Sequence, residues 1–94
     1  MKAKELVLNI AVNLGRIARW ADEGKTSRIS AFLIETEGYM KELEQAEKSA
    51  KFNKTFESFR ITFEDLKNKS RYDPAWAEEV LTWANILQHR AKLA

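Results

Sequence analysis

Apolar residues recur at alternating intervals of three and four along nearly the whole chain, and this rhythm leaves few folds open. It puts side chains on one face of an α-helix, whereas a half-buried strand would need alternation at every second residue. The first stripe runs Ala3, Val7, Ile10, Leu14, Ile17 and Ala21, widened by Leu6 and Ala18. It predicts a helix of about 20 residues, roughly 30 Å long. Gly24 stands where that helix should stop, because glycine accepts the left-handed conformation that helix C-termini often need. Thr26 or Ser27 is then expected to cap the next helix through its hydroxyl.

The second stripe reads Ile29, Leu33, Thr36, Met40 and Leu43, with Phe32 and Tyr39 beside it. It fades near Ala50, where Glu47 already occupies the inward phase. The third reads Phe52, Phe56, Phe59, Phe63 and Leu66. These two stripes are out of phase, so one straight helix would have to bury opposite faces in its two halves. A turn or sharp bend is expected around Ser49 to Asn53, with Asn53 as the cap. Lys67 to Arg71 is polar and reads as the next loop. Asp73-Pro74 marks the last boundary, a capping acid before a proline at the first helical position, where the missing N–H costs nothing. The helix beyond presents Trp76, Ala77, Val80, Trp83, Ala84, Leu87 and Ala91 on one side.

The fold expected is therefore all-α. Short connections between amphipathic helices favour antiparallel neighbours, which gives an up-down four-helix bundle. The alternative is a three-helix arrangement in which the second and third segments fuse into one long bent helix. The 94 residues form a single domain, since a second would leave neither half enough core. Apolar runs are only a few residues long, so no membrane span is expected. The polar-interrupted N-terminus suggests no signal peptide, and a cytoplasmic location is the expectation. With no cysteine, disulfides, thiolate metal sites and Cys nucleophiles are excluded.

Residues outside the core stripes carry what functional signal there is. Leu8 and Val12 lie on the side of the first helix opposite Ile10 and Leu14, with Gly15 and Arg19 in the same row. An apolar pair followed by a glycine that lets backbones approach is the pattern of a close helix contact. These four residues are therefore candidates for self-association as a dimer, and a chain this short gains stability by associating. Leu81 and Ile86 flank the last helix's inward stripe and could join that surface. The bland reading is a few tolerated surface aliphatics.

Charge is unevenly spread. Residues 35–47 carry five glutamates against Lys41, while residues 48–71 carry seven basic residues against Glu57, Glu64 and Asp65. Such blocks can face one another on neighbouring helices or pair along each helix. The sharper alternative is an accessory nucleic-acid binder using Lys48, Lys51, Lys54, Arg60, Lys67, Lys69 and Arg71. The interleaved Phe52 could stack on a base, but the four phenylalanines keep helical core spacing. Trp76 and Trp83, one heptad apart, also read as core, and Arg16 four residues before Trp20 suggests a cation–π contact.

No catalytic activity is expected. His89 is the only histidine, so a zinc site with several His or Cys ligands cannot form within one chain. No Glu stands three residues before it, as di-iron bundles require. There is no glycine-rich phosphate loop and no nucleophile elbow. No cofactor is expected. Thr36, in phase with the apolar stripe, and Asn13, bordering it, leave a small-molecule sensor as a second alternative, although such a hydroxyl usually bonds its own helix. The reading that results is a small helical protein–protein interaction and assembly module that self-associates as a homodimer. Fold alone assigns it no biological role.

Overall fold

The four stripes become four helices in a computed structural model that describes residues 1–94. They are α1 (Ala3–Asp22), α2 (Ile29–Gln45), α3 (Ala50–Lys67) and α4 (Pro74–Arg90), with single 3-10 turns at Thr26–Arg28 and Ala91–Leu93. Contacts fix the directions. Trp20, near the end of α1, packs on Phe32, near the start of α2. Lys67, at the end of α3, reaches back to Glu37 of α2. Trp76, at the start of α4, bonds Leu66 at the end of α3. Each helix thus runs antiparallel to the one before it, in a rod of 37 × 20 × 19 Å. This is the up-down bundle, with α2 and α3 separate rather than fused into one bent helix.

One continuous core draws side chains from all four helices. Leu6, Val7, Ile10, Leu14 and Ile17 of α1 are almost completely inaccessible to water. Burying a side chain of this size contributes about 1.5–3 kcal/mol, which is why the spacing prevails over the many charged residues between them. α1 packs most closely on α4 and α2. Ala11 and Ala18 of α1 and Ala77, Ala84 and Ala91 at the other side are all buried, and such small side chains let two backbones come near each other. On α3 the inward residues are instead rings. Phe52, Phe56, Phe59 and Phe63 are buried, and Phe59 lies 5.6 Å from Phe63 and 5.2 Å from Trp83 between ring centroids. The aromatic row therefore fills core space, and Trp83 is only half-buried at its edge.

The boundaries depart from the sequence expectations in several places. Gly24 does end α1, with φ +73. The Gly24 N–H donates to the Ala21 carbonyl at 3.2 Å and the Lys25 N–H to that of Trp20 at 2.8 Å, the paired bonds of a Schellman motif. Neither Thr26 nor Ser27 caps α2. They form a 3-10 turn that leads directly into it, and no side chain bonds at its N-terminus. Asn53 is not a cap either, because α3 begins three residues earlier with Ser49 at the N-cap position. The Ser49 hydroxyl donates to the Leu93 carbonyl rather than accepting from its own helix. The chain breaks between Gln45 and Ala50, where Glu47 would otherwise enter the core. Lys67 belongs to α3, so the following loop starts one residue later than its polarity suggests. Asp73 caps α4 as expected, its carboxylate accepting from the Trp76 N–H at 2.9 Å.

Two long side chains act as struts between helices. The Trp76 indole N–H donates to the Leu66 carbonyl at 3.0 Å inside the core, satisfying a helix-end acceptor. The Lys48 ammonium donates to the carbonyls of Leu43 at 2.6 Å and Ala46 at 3.0 Å. It also lies 4.8 Å from the centre of the Phe56 ring. A cation at the C-terminus of α2 suits the negative end of the helix dipole. The expected contact between Arg16 and Trp20 does not form. Arg28, brought over by the turn, stands 6.0 Å above the Trp20 ring, and Trp20 packs edge-on against Phe32 at 4.8 Å.

Candidate functional site

An open groove of about 820 Å³ lies between the C-terminal half of α1 and the N-terminal half of α4. Its position follows from the core. Each helix presents one face inward, so the outer flanks of two neighbours meet as a trough. Val12, Gly15 and Arg19 line it from α1, and Pro74, Ala77 and Leu81 from α4. Val12 is 52% exposed and Leu81 48%, and Leu8 one turn before Val12 is 37% exposed. Arg16 and Arg19 supply positive charge, and Asp22 and Glu78 negative charge.

Three of the four residues singled out for self-association thus share this groove, and Leu8 extends their row. A methyl group added at Gly15 would meet nothing within 4 Å, so the packing of a single chain does not require glycine there. The contribution of α4 is less legible in the sequence. Leu81 stands out as an apolar residue off its stripe, but Pro74, Ala77 and Glu78 enter only through the register of α4 against α1. Ile86 is half-buried and lies outside the groove.

The seven basic residues of 48–71 do not make one field. Lys48 is engaged with the end of α2. Arg60 pairs with Glu57 at 2.9 Å, Lys69 with Asp65 at 3.5 Å, and Lys67 with both Glu64 at 2.9 Å and Glu37 at 3.1 Å. Lys51, Lys54 and Arg71 are exposed and make no ion pair within the chain. The opposed charge blocks do face each other across α2 and α3, in a narrow cleft that holds Glu37, Lys41, Glu44, Arg60, Glu64 and Lys67. The hydrogen bond from Lys67, followed by its charge, holds the Glu37 carboxyl below the usual glutamate range. Glu64 and then Glu37, hydrogen-bonded to Lys67, raise its ammonium above the ordinary lysine value. The Arg60 hydrogen bond lowers Glu57 in the same way. Ion pairs this open to water add little to stability, so their main effect is to occupy charges that would otherwise face outward.

The polar residues within the core stripes bond one another. Thr36 is fully buried and donates to the Phe32 carbonyl at 2.7 Å, the back-bond to its own helix. Asn13, 5% exposed, donates to the Thr36 hydroxyl and to a Glu35 carboxylate oxygen, both at 3.3 Å. No buried side-chain polar atom lacks a partner. His89 lies on the outer surface of α4. No helix is long and apolar enough to cross a membrane. Comparison of the chain with protein-family models, with curated proteins and with solved structures finds no match.

Proposed function

We propose that this protein is a helical interaction and assembly module that acts as a homodimer, using the α1–α4 face. The observation that carries the reading is that three of the six exposed large apolar residues, Leu8, Val12 and Leu81, gather on this face, Val12 and Leu81 in the groove and Leu8 one turn beyond it. The remaining ones, Met1, Ile34 and Ile61, lie outside the groove. An apolar row bordered by charges of both signs is the composition of a docking surface rather than of a solvated helix. A cytoplasmic setting goes with it, since small secreted domains usually rely on disulfides and this chain has no cysteine.

Replacing Leu8 and Val12 together by glutamate tests the function. Both side chains already stand in water, so the fold should be retained by circular dichroism. Light scattering should give the wild type twice its chain mass of 10.9 kDa and the variant the chain mass alone. A monomeric wild type, or a variant that keeps the doubled mass, refutes the reading. Nucleic-acid binding is the weaker alternative, because four of the seven basic residues are already engaged within the chain. It would show as binding that falls steeply with salt and is abolished by reversing Lys51, Lys54 and Arg60 to glutamate.

A further inference from the structure

The outward side of α1 carries a complete second seam. Met1, Glu5, Leu8, Val12, Gly15, Arg19 and Asp22 follow one another at intervals of four and three, the spacing by which one helix meets another along its length. None of them is buried. The seam is apolar in the middle, at Leu8 and Val12, and charged towards both ends. Glu5 stands one turn before Leu8, while Arg16 and Arg19 stand one and two turns beyond Val12. Glu5, Arg16 and Arg19 make no ion pair within the chain.

We infer that the occupant of this face is the α1 helix of a second copy, lying antiparallel, with the two-fold axis between Leu8 and Val12. The inference rests on the dimer proposed above and specifies its geometry. In this register Leu8 meets the partner's Val12, and by symmetry Val12 meets the partner's Leu8. Glu5 comes opposite the partner's Gly15, whose missing side chain lets the backbones approach, and lies within about one turn of the partner's Arg16 and the partner's Arg19. Three charges without partners in one chain thereby pair, and each pair occurs twice. A parallel arrangement would set Glu5 against Glu5 and Arg19 against Arg19, so charge selects the antiparallel one. Leu81 stands beside this seam and widens it.

The chain has no cysteine of its own, which allows a direct test by disulfide trapping. Leu8→Cys and Val12→Cys proteins are mixed in oxidised glutathione, which takes up the two electrons and two protons released when two thiols join. The inferred register predicts that the mixed dimer, bridged between one Leu8→Cys chain and one Val12→Cys chain, forms several times faster than either like-with-like dimer. Faster like-with-like trapping, in a wild type of doubled mass, overturns the register and leaves the dimer standing. A wild type of single mass overturns both. Charge reversal gives an independent reading. Glu5→Arg alone should weaken association roughly tenfold, because each lost pair counts twice. Combining it with Arg16→Glu and Arg19→Glu should restore most of the loss. Failure of that restoration, or no weakening by Glu5→Arg, counts against the register.

Discussion

The same small change, a methyl group added at a glycine, should have opposite effects at two places in this fold. Gly38 lies inside α2 on the exposed side, and a Cβ there would meet nothing within 4 Å. In a helix interior glycine is about 0.8–1.0 kcal/mol less favourable than alanine, because its backbone loses more freedom on folding. Gly38→Ala should therefore stabilise the protein by about 1 kcal/mol. Gly24 also has open space around it, so sterics against neighbours do not distinguish the two. Its φ of +73 does. An L-residue held there costs roughly 1–2 kcal/mol, through contact between its own Cβ and the following carbonyl. Gly24→Ala should be destabilising by that amount, since the Schellman bonds at Ala21 and Trp20 fix the conformation. Urea unfolding followed by circular dichroism reads both. With a slope of ~1–2 kcal/mol per molar for a domain of this size, the midpoints should move in opposite directions by about 0.5–1 M, at unchanged slope. A Gly24→Ala protein as stable as the wild type would show that α1 does not end in a left-handed residue. A destabilised Gly38→Ala protein would show that α2 turns a different face outward.

Other perturbations have equally definite outcomes. Trp76→Phe keeps a ring in the core but removes the indole donor to the Leu66 carbonyl, which then keeps the longer bond from the Lys69 N–H at 3.4 Å, and should cost about 0.5–1.5 kcal/mol in the same urea titration. Thr36→Val removes the acceptor that Asn13 uses inside the bundle and should cost about 1 kcal/mol. In the double variant Asn13→Leu, Thr36→Val much of that loss should return, because neither partner is left polar; a fully additive double-mutant cycle would refute the coupling. NMR titration should find the Glu37 carboxyl losing its proton at lower pH than an ordinary glutamate, and Lys67→Met should return it towards that value. Because the folded pKa is depressed, the pair's stabilisation is present above the unfolded value and disappears as pH falls through the folded one. Lys48→Met should lower stability by about 0.3–1 kcal/mol through the exposed end of α2, and amide exchange should quicken first at residues 43–46.

What the sequence makes legible divides along the range of the interactions involved. The inward faces of α1, α2 and α3 and the start of α4 depend on local spacing and on a cap three residues away, so Leu14, Phe59 and Asp73 lie where the pattern puts them. The break between α2 and α3 is readable because Glu47 falls in the buried phase. Its location is less so, since Ser49 begins α3 while its hydroxyl bonds a residue at the far end of the chain. Thr26 and Ser27 have the chemistry of caps, but a 3-10 turn takes up the same stretch. Spacing pairs Trp20 with Arg16 on its own helix, whereas the turn supplies Arg28 from outside it. Of the groove, the α1 half shows in Leu8, Val12 and Gly15. The α4 half depends on which turn of α4 settles beside Val12, and alanine and proline there give no signal of an exposed surface.

The contrast between alanine contacts around α1 and phenylalanine contacts around α3 bears on how the molecule loosens. A backbone held close to two others can move only if they move with it, whereas one held at ring's length can shift while the aromatic residues re-orient. Native-state exchange should accordingly be slowest at the centre of α1, with α3 detaching in lower-energy openings. Truncating a ring such as Phe59 would leave a void that the surrounding backbone closes only in part, so such lesions should be among the most damaging to the fold. The helix offered as the contact surface is then also the least deformable one, and a rigid surface surrenders little freedom when a second molecule settles on it.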